Sequence, residues 1–212
     1  MNVRAFRGGR RDCRSRAYSG NMAYKPRCEA PGLHHVVCRG NNKRDIFVTD
    51  QDRESFLDTL DRKAKKYGWT IYAYCLMPNH YHLVMEIGDG GLADGMCELN
   101  TAYATRFNAV HGRINHLFGK RYWSAYLDSH THLLNAIRYV AQNPRRAGLR
   151  GPLESHTWTS YAATIGLALP FARLAIGKVL GLFGPTPQAA KASFSRFCEA
   201  PVPSSDVRRQ PP

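Results

Sequence analysis

The chain has 212 residues, 43% of them hydrophobic and 11% aromatic, which is enough to build a buried core and too apolar for general disorder. Thirty Lys and Arg against sixteen Asp and Glu leave a formal charge of +14, a balance that suits a polyanionic partner such as nucleic acid far better than a metabolite. No run of eighteen apolar residues occurs and no apolar segment follows the N-terminal arginines, so neither a membrane span nor a signal peptide is expected, and a cytoplasmic location is. The six cysteines, at 13, 28, 38, 75, 97 and 198, form no Cys-x-x-Cys pair, which points to reduced thiols rather than a disulfide framework.

Residues 1–21 carry six Arg and three Gly with little apolar periodicity and read as a disordered basic arm. From Gly32 a short strand runs through Cys38 into a Gly-Asn-Asn loop bearing Arg39, Lys43 and Arg44. Asp50 opens a helix whose apolar residues Phe56, Leu57, Leu60 and Ala64 keep helical spacing to about Tyr67, and Gly68 stands where a C-terminal cap belongs. Strands are predicted over 69–76 and 81–87 with Pro78-Asn79 as the turn between them, then a helix over 92–107 and an aromatic strand over 122–127. A further helix over 131–143 is expected to end before Pro144, which disfavours helical backbone in the residue preceding it.

The order β-α-β-β-α-β-α fits an α+β fold, a ferredoxin-like split βαβ antiparallel sheet with helices on one face. Domain organisation reads as the arm at 1–21, a core domain at 22–158, a small C-terminal helical appendage at 159–200 and a disordered tail at 201–212.

His80 and His82 flank Tyr81 at the start of a predicted strand, where residues two apart point the same way. Two converging imidazoles are most of a divalent-metal site, although hydrogen-bonded strand histidines have the same spacing. The second pair, His130 and His132, falls at a helix start, where residues two apart diverge by about 200°. On the helix that follows, Leu133, Ile137 and Val140 form an apolar stripe, and Tyr139 lies about 200° from Ile137, away from it. Asn143 is one turn beyond Tyr139. A tyrosine hydroxyl with a pKa near 10 needs a metal or base to attack phosphorus at neutral pH. His80 and His82, with the carboxamide of Asn143 or of neighbouring Gln142, would hold such an ion, and nearby basic residues would steady the phosphate.

The strings PGLHHVVCRGNNKRDIF, YCLMPNHYHLVME and HLFGKRYWSAYLDS with LLNAIRYVAQNPRRAGL resemble the single-tyrosine transposases of the HUH endonuclease superfamily, in particular REP-associated tyrosine transposases. The resemblance spans roughly residues 22–158. It implies that His80, His82 and Asn143 hold Mg²⁺ or Mn²⁺, that Tyr139 is the nucleophile, and that the product is a 5′-phosphotyrosine at single-stranded DNA hairpins formed by palindromic repeats. Arg39, Asn41, Lys43, Arg44, Lys120, Arg121, Arg145 and Arg146 are the expected DNA-binding residues, and Tyr122, Trp123 and Tyr126 can stack on bases, although at least one should belong to the core. His34 departs from the pattern by standing where many relatives have Tyr. The implied form is a monomer or homodimer. The competing reading is a non-catalytic or domesticated hairpin-binding protein on the same fold, which would explain the charge and leave the histidines and Tyr139 without a role.

Overall fold

A computed structural model describes residues 28–89, 91–171 and 173–201, so the basic arm at 1–21 and the tail after residue 201 lie outside the described residues. Four strands, β1 (Gly32–Arg39), β2 (Thr70–Met77), β3 (His80–Ile87) and β4 (Trp123–Tyr126), form one antiparallel sheet in the order β2-β3-β1-β4. β1 and β2 both run antiparallel to β3, which lies between them. The β1-helix-β2 unit is therefore split by an inserted strand, as the ferredoxin-like pattern requires.

Helices α1 (Asp50–Tyr67) and α2 (Leu92–Val110) cover one face of the sheet. Their Phe56, Leu60, Leu99 and Tyr103 pack against Val36, Cys38, Tyr81, Leu83 and Met85. The expectation of helices on one face holds for this pair. Helix α3 (His130–Arg146) lies on the opposite face, joined there by α4 (Tyr161–Ile165), α5 (Ile176–Leu180) and α6 (Pro187–Glu199). The cause is visible in β2, where every residue from Ile71 to Met77 is buried. A strand apolar on both faces must be covered on both. Leu133, Ile137, Val140, Tyr161 and Phe194 share this second core with Cys75, Met77 and Val84.

The predicted boundaries hold to within a few residues, with one instructive difference. α3 continues through Pro144 to Arg146 rather than ending at Asn143. Proline lacks the amide that would bond one turn back, but in the last turn that loss is local, and Ala147 N–H and Leu149 N–H close the end onto the carbonyls of Asn143 and Pro144.

α1 starts at a capping box: the Thr49 hydroxyl accepts from Asp52 N–H at 3.2 Å and the Asp52 carboxylate accepts from Thr49 N–H at 2.9 Å. Gly68, at φ 67°, ends the helix in the left-handed conformation. Asp52 also accepts from Val48 N–H at 2.9 Å and from the His111 ring at 2.9 Å, so one carboxylate ties the start of α1 to the end of α2. Burial raises its pKa, and the hydrogen bonds from His111, Thr49 and Val48 outweigh burial and hold it below the ordinary 3.8. A depressed carboxylate stabilises the fold above its unfolded pKa and loses that contribution as pH falls through the folded value. Asp52→Ala should therefore lower stability by about 1–3 kcal/mol at pH 7. In urea titrations from pH 7 to pH 3 the gap between variant and wild type should narrow on acidification below about pH 4; a gap that is constant or widens contradicts this role.

Candidate functional site

The β2–β3 turn is two residues, Pro78 and Asn79, with Met77 paired to His80. The preceding loop grips it: Pro78 O accepts from Ile46 N–H and Phe47 N–H at 2.8 and 3.0 Å, and Asn79 O accepts from Gly40 N–H at 2.8 Å. Only glycine fits at 40, because a Cβ there would lie 2.0 Å from the Arg44 carbonyl oxygen. The held turn fixes the first residues of β3. Alternation then sends His80 and His82 toward the α3 face and Tyr81 into the other core, where its hydroxyl donates to Asn100 Oδ1 at 2.7 Å.

Asn143 on α3 meets both histidines. Its Oδ1 lies 3.2 Å from His80 Nε2, and its Nδ2 donates to His82 Nε2 at 3.0 Å. The other nitrogens are held from behind: His80 Nδ1 lies 2.6 Å from Asn79 Oδ1, and His82 Nδ1 lies 3.1 Å from Nε2 of His35 on β1. Tyr139 completes the group, its ring centroid 5.4 Å from that of His82 and 5.8 Å from that of His35. It lies on the flank of the buried stripe rather than opposite it. At 100° per residue Ala136 and Asn143 are only about 60° and 40° away, so the stripe extends almost to Tyr139 and the ring is half-buried over the sheet.

The electrostatics follow from burial beside positive charge. Burial, then the Arg39 guanidinium, pushes His80 down to about 4, against a smaller opposing hydrogen bond to Asn143. His82 is held well below its ordinary value by burial, then by His35, His80 and Arg39. Burial alone takes His35 to about 3. All three imidazoles are therefore neutral near pH 7 and present lone pairs. Burial raises the Tyr139 hydroxyl, and Arg146, Arg39 and a hydrogen bond from Arg146 oppose that rise. The Arg146 guanidinium lies 4.9 Å from the Tyr139 ring centre.

The other sequence-predicted residues divide into three groups. Arg39, Asn41, Lys43, Lys120 and Arg121 line one cleft of about 400 Å³, which Trp123 joins to the cluster by an edge contact with His35 at 5.6 Å. Arg44 lines the neighbouring cleft, together with Asn42 and Arg113. Arg145 does not face the cleft, because Glu199 on α6 binds both of its terminal nitrogens, at 2.5 and 3.1 Å. Among the aromatics Tyr122 is buried, Trp123 is half-buried and Tyr126 is exposed.

Gln142 is not near the histidines. About 100° round the helix from Asn143, it donates to the Cys198 and Ala200 carbonyls at 2.6 and 2.8 Å. His132 pairs with Asp128 at the start of α3. His35 is the residue that sequence reasoning missed. Its signal was alternation along β1, which gives one of the adjacent histidines 34 and 35 to the face bearing His80 and His82 once β1 is paired with β3.

The family model for IS200-like transposases matches residues 32–143. That span is more than half of the chain and contains every member of the cluster, and the chain belongs to the IS200-like transposase family. The family defines it as an enzyme of DNA strand cleavage and transfer. A Haemophilus influenzae protein provisionally named a REP-associated tyrosine transposase is 21% identical over 141 residues, covering 61% of this chain and 80% of that protein. The structure of a REP-associated tyrosine transposase bound to a REP hairpin shares the fold, with a TM-score of 0.58 at 17% identity over 69% of this chain and 88% of that one. A crystal structure of a provisionally named transposase from Deinococcus radiodurans has a TM-score of 0.41 at 17% identity, over 60% and 96% of the two chains. No helix among the described residues is long and apolar enough to cross a membrane.

Gln142→Leu should cost about 1–3 kcal/mol in thermal or urea unfolding, because it leaves two carbonyls at the end of α6 without their donor. A change below about 0.5 kcal/mol would show that water replaces the amide there.

Proposed function

We propose that this chain is a divalent-metal-dependent endonuclease and strand transferase that acts in the cytoplasm on single-stranded DNA hairpins through a 5′-phosphotyrosine intermediate. The observation that carries the reading is the convergence of His80 Nε2, His82 Nε2 and the Asn143 carboxamide beside Tyr139. His80 supplies the test of fit. A neutral imidazole has one N–H, yet both of its nitrogens face oxygen atoms, Asn79 Oδ1 and Asn143 Oδ1. With Nδ1–H donated to Asn79, the Nε2 lone pair points at an oxygen lone pair, an arrangement that suits a cation between them.

His80, His82 and Asn143 would hold Mg²⁺ or Mn²⁺, and the ion when bound supplies Lewis-acid polarisation of the scissile phosphate. The remaining work belongs to side chains. Tyr139 is held by α3 against His82 and His35, so its hydroxyl enters the reaction without a search for position. Arg146 and Arg39 favour its ionised form against burial. The tyrosinate oxygen bonds to phosphorus as the bond to the 3′ oxygen breaks; the phenolic proton passes to water and the departing 3′ oxygen takes one up. The phosphotyrosine keeps the energy of the phosphodiester, and a 3′-hydroxyl can reverse the step at another end without a nucleotide cofactor. The cleft bearing Arg39, Lys43, Lys120 and Arg121 would take the phosphate backbone, with Trp123 as a stacking surface. The hairpin as substrate rests on the named likeness to a REP-associated tyrosine transposase bound to one.

Wild-type protein incubated with a labelled single-stranded hairpin and Mn²⁺ should form a covalent adduct that survives a denaturing gel, and Tyr139→Phe should form none. Adduct from Tyr139→Phe at the wild-type level would refute the nucleophile; hairpin binding without adduct from the wild type would identify a binding protein instead. His80→Ala should lose cleavage by at least about 100-fold while hairpin affinity changes by less than about threefold. Lys120→Ala and Arg121→Ala should each reduce the slope of log affinity against log salt by about 0.7–1, measured by fluorescence anisotropy; an unchanged slope removes that residue from the phosphate contacts.

A further inference from the structure

Each histidine of the HUH pair presents Nε2 to Asn143 and has its Nδ1 held by a second side chain. For His80 that side chain is the adjacent Asn79. For His82 it comes from a different strand, His35 of β1, with Nε2 at 3.1 Å. The protons can be placed without a metal. Asn143 Nδ2 donates to His82 Nε2, so that nitrogen carries a lone pair, the proton of neutral His82 resides on Nδ1, and the acceptor facing it is His35 Nε2. His35 is itself fixed: it is buried, and its ring meets Trp123 and Tyr139 edge-on at 5.6 and 5.8 Å. A histidine that ligates a metal through one nitrogen donates the other N–H to an acceptor that sets its tautomer and aim, and imidazole here takes the place more often filled by a carboxylate or carbonyl.

Resting on the metal site proposed above, we propose that His35 is a positioning residue for His82: its Nε2 accepts the His82 Nδ1–H and so turns the His82 Nε2 lone pair toward the ion shared with His80 and Asn143. The role is distinct from packing. Phenylalanine at 35 keeps a ring between Trp123 and Tyr139 but has no acceptor, whereas glutamine keeps an acceptor at about the reach of Nε2 and loses the ring.

The test is Mn²⁺ binding by the full chain without DNA, followed by calorimetry, with thermal melting to confirm that each variant is folded. His35→Phe should weaken Mn²⁺ binding by about 10–100-fold, and His35→Gln should stay within about threefold of wild type. In ¹⁵N spectra of the metal-free protein the Nδ1–H tautomer of His82 should predominate in wild type and His35→Gln, and should lose population to the Nε2–H form in His35→Phe, where Asn143 alone still selects it. If His35→Phe fails to fold, His35→Asn takes its place, since its shorter amide does not reach His82 Nδ1. Tight binding by the acceptor-free variant, or equal weakening by His35→Gln, would overturn the positioning role while leaving the metal site intact. No Mn²⁺ binding by wild type, or undiminished binding by His80→Ala, would overturn the metal site and the role of His35 with it.

Discussion

The carboxamide of Asn143 joins helix to sheet by hydrogen bonds at the candidate site, touching His80 through Oδ1 and His82 through Nδ2. Everything else in the arrangement depends on that bridge. It sets the height of α3 above β3 and, one turn earlier on the same helix, the approach of Tyr139 to His82. A carboxamide suits the task because it offers an acceptor and a donor from one planar group. An aspartate could accept on both sides but would bring a negative charge into a buried cluster.

The opposite flank of α3 is held by different chemistry. Gln142 donates to the last carbonyls of α6, Arg138 donates to the Pro201 carbonyl at 3.2 Å and lies over the Phe197 ring, and Arg145 pairs with Glu199. The segment beyond Trp158 is thus part of the frame that holds the tyrosine helix, packed into the same core as Leu133, Ile137 and Val140. Side chains that are consecutive in sequence, 142 and 143, serve the frame and the site separately because one step along a helix is about a quarter turn.

Much of this was legible in the sequence wherever local chemistry decides the outcome. The helix opening at Asp50 and its stop at Gly68 bound α1, Pro78-Asn79 sets the turn, and period-two alternation separates Tyr81 from His80 and His82. What escaped depends on contacts distant in the chain. The two-sided burial of β2 calls for a second helical layer, yet an apolar run does not state which helix supplies it. Gln142 and Asn143 look alike until α6 is in place, and Arg145 looks like a phosphate ligand until Glu199 is found beside it. His35 was hidden for the same reason, since its partner is 47 residues away.

Strand β3 carries structural residues on one face, Tyr81, Leu83 and Met85, and site residues on the other, His80 and His82. A slip of one residue in its pairing would drive two imidazoles into the apolar core and turn the buried Tyr81 ring toward α3. The misregistered strand is therefore penalised as a fold before it can fail as an enzyme. Folding acts here as a proofreading step for the candidate site, rejecting the wrong geometry through the free energy of the core.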